Sequence, residues 1–171
     1  MIVSLKKLKS IVEKLKKQNK KIVFTNGCFD IIHIGHITLL EKAKSLGDIL
    51  VVGLNSDESV KKLKGKERPI VPQNERAEIL DSIKYVDYVV VFDELTPYKV
   101  ITEIRPDIIV KGEDYKLKEV VGWGIVPKIV RINLVKDRST TGIIEKIKRL
   151  KVSSKWESKN IVGQGFSLAN N

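Results

Sequence analysis

Cysteine is almost missing from this chain. Cys28 stands alone among 171 residues, which excludes an internal disulfide and favours a reducing interior. A cytoplasmic protein is the simplest expectation. No apolar run is long enough to cross a bilayer, and the opening Met1-Ile2-Val3-Ser4-Leu5-Lys6-Lys7 sets its apolar residues at helical spacing, without the apolar block of a signal peptide. No membrane partner is expected. Histidine occurs only as His33 and His36, too few with one cysteine to make a zinc site attractive, so no protein-held metal is assigned. Aromatic residues are 6% of the chain and none interleaves with the lysine runs, so no stacking platform for single-stranded nucleic acid is indicated. A Walker loop, a Gly-x-Gly-x-x-Gly fingerprint and a Gly-x-Ser-x-Gly elbow are also missing.

What is present is a core and a positive charge. Hydrophobic residues make up 42% of the chain, enough for one compact domain over 1–150, and 32 basic residues against 21 acidic ones leave a net charge of +11. Such an excess attracts phosphorylated small molecules, nucleic acid or an anionic surface. Much of it lies on the N-terminal helix and in Lys61-Lys62-Leu63-Lys64-Gly65-Lys66, where a solvated lysine face is the plainer reading.

Leu5, Leu8, Ile11, Val12 and Leu15 predict an amphipathic helix over 4–18, capped by Ser4 and ended at Gln18-Asn19. It packs on the outside of the domain or against a second copy. A strand over 21–24 leads through Thr25-Asn26-Gly27 to a helix beginning near His36 and closed by Gly47 at its C′ position. The unbroken apolar run 49–54 reads as a strand buried on both faces. Residues 55–72 read as a long polar loop with one helical turn over 57–62. A helix follows over 73–83 and a strand over 88–92. Thr96 caps the next helix with Pro97 at its first position, and Arg105-Pro106 ends it. Strands over 107–111 and 129–134 come next, then a helix capped by Ser139-Thr140-Thr141 and carrying Ile143, Ile144, Ile147 and Leu150. This alternation predicts a doubly wound α/β domain with a parallel sheet. Residues 151–171 lose the pattern and read as a disordered tail, an arm docked on another subunit, or residues left by cloning.

The stretch Thr25-Asn26-Gly27-Cys28-Phe29-Asp30-Ile31-Ile32-His33-Ile34-Gly35-His36 links a strand to a helix. Backbone donors and the positive end of a helix dipole suit an anion there, and His33 and His36, three residues apart around Gly35, can neutralise charge. A surface or capping histidine is the competing reading. Ligands of open α/β sheets sit beyond the carboxyl ends of the strands, which puts Asn26, Gly27 and Asn55 on one rim. Lys64, among four lysines of its loop, and Arg76 at a helix start are candidate phosphate cations, or simply solvated residues. Ser139, Thr140 and Thr141 can cap a helix and bind a phosphate at once. Together these features suggest a polyphosphate substrate.

His33-Ile34-Gly35-His36 resembles the HxGH signature of the nucleotidyltransferase superfamily, and Ser139-Thr140-Thr141 resembles its second signature. Thr25-Asn26-Gly27-Cys28-Phe29-Asp30, Asn55-Ser56-Asp57, Leu63-Lys64-Gly65 with Arg68-Pro69, Val86-Asp87, Thr96-Pro97, Pro106-Asp107 and Val110-Lys111-Gly112 occur in the order that resembles the D-glycero-β-D-manno-heptose 1-phosphate adenylyltransferase family. The resemblance covers about 5–150 and implies a Rossmann-like nucleotidyltransferase fold. It implies transfer of AMP from ATP, with Mg²⁺ on the phosphates, to heptose 1-phosphate, giving ADP-heptose and pyrophosphate for lipopolysaccharide assembly. A chain of this length resembles the stand-alone form, which works beside a separate sugar kinase. Close relatives are glycerol- or ethanolamine-phosphate cytidylyltransferases and FAD-synthase-like adenylyltransferases; a basic binding module without turnover is the more distant reading.

By the resemblance, His33 and His36 hold the triphosphate, Lys64 meets the sugar phosphate or the leaving pyrophosphate, and Cys28 and Phe29 offer backbone. Asn26, Gly27, Gly35, Lys111, Gly112, Asp114, Ser139, Thr140 and Thr141 line the nucleotide. Asp30, Asn55 and Arg76 join Lys64 on the acceptor side, and a homodimer is the usual assembly. Two positions depart from the pattern. Glu113 stands where the family has glycine, and Leu134 stands where the glycerol-phosphate cytidylyltransferases carry arginine, with Lys136 and Arg138 nearby.

Overall fold

A computed structural model describes residues 1–113, 116–133 and 139–150. The predicted tail and Asp114 lie outside the described residues. Among the described residues five strands, β1 (Ile22–Gly27), β2 (Ile49–Asn55), β3 (Tyr88–Phe92), β4 (Ile108–Gly112) and β5 (Lys128–Ile132), form one sheet in the order β3-β2-β1-β4-β5. Every pairing is parallel, and β1 runs in register with β2 from Ile22 opposite Ile49 to Gly27 opposite Leu54. Parallel strands need crossovers: α2 (Ile34–Lys44), α3 (Asp57–Lys64), α4 (Gln73–Asp81) and α5 (Tyr98–Ile104) supply those before β4, and a short 3₁₀ turn (Leu117–Glu119) lies between β4 and β5. The first helix, α1 (Leu5–Lys17), precedes the sheet and the last, α6 (Thr140–Arg149), follows it.

The apolar run of β2 explains why the fold has two helical layers. Leu50, Val52 and Leu54 pack with Leu39, Leu40 and Ala43 of α2 and with Ala77 and Leu80 of α4. Val51 packs on the opposite face, with Leu8 and Val12 of α1 and Val100, Ile101 and Ile104 of α5. Alternate residues of one strand thus feed two cores, which a strand exposed on one side could not do. The same packing places α1 within the domain's own fold, against α5 and β3.

Several boundaries differ from those read off the sequence. The helix expected from His36 begins at Ile34, with His33 as its N-cap residue, and ends at Lys44 with Ser45 in right-handed helical geometry. Gly47 is therefore not a left-handed C′ glycine. Its value is space: a Cβ there would lie 2.7 Å from Val23 Cγ2 and 2.9 Å from the Lys21 carbonyl oxygen. The single turn expected after β2 is the eight-residue α3, started by Ser56, whose hydroxyl accepts from the Ser59 amide. Ser56 competes well as a cap, a signal that the lysine-rich surroundings obscured. Pro97, not Thr96, is the N-cap position of α5, a one-residue difference of the kind helix ends often show.

Candidate active site

The sheet reverses its winding at β1 and β4, and the crevice at such a switch point is where open α/β sheets hold ligands. Here it opens into a cleft of about 520 Å³ at the strands' carboxyl ends. The elements beside β1 divide it. Asn55, Lys64, Arg68 and Leu95 line it from the β2 and β3 side, while Lys111, Val120 and Ser139 line it from the β4 and β5 side.

In the centre lies the turn between β1 and α2. Phe29 takes a left-handed backbone conformation with φ of 44°, unusual for a bulky residue and a feature that clusters at functional sites. Its ring is buried and sits 5.1 Å from that of His36. Gly27 leaves room for it, since a Cβ there would stand 3.2 Å from the ring. The His33 and His36 rings stack at 3.9 Å with 25° between their planes. His33 immediately precedes α2 and His36 lies in its first turn, so both imidazoles stand at the positive end of the helix. Burial pushes the His36 imidazole down to about 4, and the neighbouring His33 pushes in the same direction. His36 is thus neutral near pH 7 and carries one N–H to donate.

A second helix start adjoins the first. The Ser139 hydroxyl accepts from the Gly142 amide at 3.0 Å and caps α6, and the Thr140 hydroxyl donates to the Ile31 carbonyl at 3.3 Å. Across β1, Lys111 Nζ donates to the Asn26 carbonyl at 3.1 Å, bridging the two strands that flank the switch point. Two helix N-termini, two stacked imidazoles and a lysine therefore converge where a chain of phosphates can lie.

The structure brings most of the predicted residues together. Asn26, Gly27, Cys28, Phe29, Asp30, His33, Gly35, His36, Asn55, Lys64, Lys111, Ser139, Thr140 and Thr141 all line the cleft. Of the loop lysines only Lys64 does so, while Lys61 is paired with Glu58 at 2.8 Å. Burial pushes the Cys28 thiol up, opposed by Lys64, Arg76 and Arg68, which keeps it protonated and unlike an activated nucleophile.

Arg76 is not brought to the cleft. Its side chain is wholly buried and spent inside the fold: Nε donates to the Val71 carbonyl at 2.9 Å, Nη1 to the carbonyls of Cys28 and Asn55, and Nη2 to Asp57 Oδ1 at 2.7 Å. A guanidinium can be buried only with its donors matched in this way, and its helix-start position in the sequence gave no sign of that. Gly112 is buried at the end of β4 without lining the cleft. Glu113 is exposed and outside it, its amide donating to the Ile132 carbonyl at 3.1 Å. Arg68, Leu95, Thr96, Pro97, Glu119, Val120 and Val121 line the cleft although spacing alone singled out none of them as a ligand group. For Arg68 a signal existed, its place in the Arg68-Pro69 segment of the resemblance.

Comparison with known proteins identifies the family and the fold. A family profile described as cytidylyltransferase-like matches residues 24–157. A curated relative, the bifunctional protein HldE of Campylobacter concisus, is 57% identical over 153 residues, covering 87% of this chain and 32% of the relative. The protein of the same name from Helicobacter pylori is 56% identical over 142 residues, covering 83% and 31%. The chain thus spans about a third of the length of these relatives. The crystal structure of a lipopolysaccharide core biosynthesis protein from Thermoplasma volcanium superposes with a TM-score of 0.59 at 36% identity, over 68% of this chain and 99% of that one. A pantoate-beta-alanine ligase from Francisella tularensis, complexed with beta-gamma ATP and beta-alanine, gives 0.59 at 21% identity over 86% and 77%, a likeness of fold alone.

Proposed function

Because the chain belongs to the cytidylyltransferase-like family, we propose that it is an adenylyltransferase that moves AMP from ATP to D-glycero-β-D-manno-heptose 1-phosphate, releasing pyrophosphate. The observation that carries the reaction type is the stacked His33–His36 pair at the start of α2, set against the capped start of α6. The acceptor is supported by the ordered motif matches and by the relatives whose names place them in lipopolysaccharide core biosynthesis or as HldE.

In this reading an oxygen of the sugar phosphate attacks the α-phosphorus in line. The new P–O bond forms as the bond to the β-phosphate oxygen breaks, and pyrophosphate leaves with that electron pair. No proton need leave the attacking phosphate oxygen, so the protein's work is positioning and charge stabilisation. His33 and His36 hold the triphosphate and donate where charge gathers. Ser139, Thr140, Thr141 and Lys111 bind the terminal phosphates and the nucleotide, and Lys64 supplies charge from the opposite wall. Cys28 and Phe29 present backbone, and since the Cys28 carbonyl accepts from Arg76, its amide is the group offered to the ligand. Among the described residues no three of His, Cys, Asp or Glu converge to hold a metal ion. Mg²⁺ would enter with ATP as part of the MgATP substrate and would neutralise phosphate charge there. The protein works in the cytoplasm, as a homodimer, on small molecules; among the described residues no helix is long and apolar enough to cross a membrane.

Pyrophosphate release with ATP or CTP against heptose 1-phosphate, glycerol 3-phosphate and ethanolamine phosphate tests the reading. Turnover requires ATP and heptose 1-phosphate; turnover with CTP and glycerol 3-phosphate alone would replace it by the cytidylyltransferase reading. His36→Ala lowers kcat by roughly 100-fold, the scale of losing one transition-state donor. Wild-type turnover in that variant would remove His36 from the mechanism.

A further inference from the structure

We infer that Arg68 is the group that takes the phosphate monoester of the acceptor, with Asp30 as its positioning residue. The inference rests on the adenylyltransferase reading and assigns one of its two substrates to a named cation.

In-line displacement sets the incoming oxygen opposite the departing pyrophosphate. With the terminal phosphates at the starts of α2 and α6, the acceptor approaches from the β2 and β3 side. The described cations available there are few. Arg76 is buried and consumed, and Lys64 projects from the exposed end of α3, where holding one geometry costs side-chain entropy.

Arg68 differs from both. Its side chain is 14% exposed and its partner Asp30 only 1%, with Nε donating to Asp30 Oδ2 at 2.6 Å. The other carboxylate oxygen of Asp30 accepts from the Ile70 and Val71 amides at 2.8 and 2.9 Å. The carboxylate is thus fixed by the backbone beyond the arginine and holds the guanidinium at Nε. Nη1 and Nη2 have no hydrogen-bond partner among the described residues, and Arg68 lines the cleft. A guanidinium held at Nε presents its Nη1 and Nη2 groups as a planar fork, the geometry that phosphate accepts bidentately. The ordering entropy is spent on folding rather than on binding. Because Asp30 offsets the charge of Arg68, recognition relies on directed hydrogen bonds, and Lys64 adds the uncompensated positive charge.

The test is calorimetric titration of the full chain with a non-transferable ATP analogue, α,β-methylene-ATP, and then with heptose 1-phosphate or glycerol 3-phosphate. Arg68→Gln is expected to bind the analogue within about twofold of wild type and the sugar phosphate roughly tenfold to a hundredfold more weakly, the range for losing a charge-assisted pair of hydrogen bonds. Asp30→Asn gives the same pattern, and Arg68→Lys recovers part of the affinity. In turnover, acceptor KM rises while saturating kcat moves far less, a split that loss of structure alone would not produce. Equal loss of both ligands, or unchanged acceptor binding in Arg68→Gln, overturns the inference; if Arg68→Gln does not fold, full acceptor affinity in Arg68→Lys does so. If wild type binds glycerol 3-phosphate in place of heptose 1-phosphate and Arg68→Gln loses it, the acceptor named above is wrong and the role of Arg68 stands. Binding of the analogue with neither phosphate monoester overturns the role of Arg68.

Discussion

His36 couples the chemistry of the site to its burial. Held at about 4 in the folded chain, it would titrate near 6.5 once unfolded. The unfolded chain therefore binds the proton between those values and the folded chain does not. Stability is full above about pH 6.5 and falls as pH drops toward 4, by about 2–3 kcal/mol from this residue. Denaturant melts at pH 7 and pH 4.5 measure the loss, and His36→Gln should remove that share of it; equal pH dependence in both proteins would refute the assignment. Arg68 and Arg76 teach the complementary point. Both are arginines eight residues apart, one in the polar loop and one on α4, yet the first lines the cleft and the second is buried with its donors matched.

At the scale of elements, the chain spends small residues where segments must meet. Gly47 sits between α2 and β2, and its hydrogens face Val23 of the core and the Lys21 carbonyl. Gly47→Ala places a methyl inside a well-packed contact with backbone that cannot yield easily. The expected cost is about 1–3 kcal/mol, read as a lower denaturant midpoint with little change in KM for ATP, because the contact lies at the strands' amino ends, away from the cleft. An unaltered midpoint would show that the backbone shifts freely there. The helix starts work at the opposite end. Ser4, Ser56 and Ser139 each accept an amide of the following turn, and only the last of these caps lines the cleft.

For the molecule as a whole, one buried side chain ties together four segments of the cleft wall nearest β2. Arg76 joins the turn after β1, the end of β2, α3 and the strap that follows it, through Cys28, Asn55, Asp57 and Val71. Arg76→Met leaves three carbonyls and one carboxylate without their donor, a loss of about 3 kcal/mol or more. Thermal or denaturant unfolding measures it, and the variant should lose acceptor affinity as the strap carrying Arg68 loosens. Near-native stability would show that water or neighbouring groups replace the guanidinium.

Much of this was legible in the sequence because it depends on local pattern. Apolar runs such as 49–54 favour a buried strand, alternation with helical periods favours parallel crossovers, and the hydroxyls at Ser4 and Ser139 announce helix starts. His33 and His36, with Gly35 between them, singled out by residue type alone the turn for which phosphate binding is proposed. Tertiary structure alone decided what long-range contacts decide. The β3-β2-β1-β4-β5 order made β1 and β4 the crevice. Desolvation beside a second imidazole set the protonation of His36, and distant acceptors drew Arg76 inward. The carboxylate of Asp30, 38 residues from Arg68 in sequence, turned an ordinary loop arginine into an oriented one. Charge and spacing are properties of the chain, whereas burial and partnership belong to the fold.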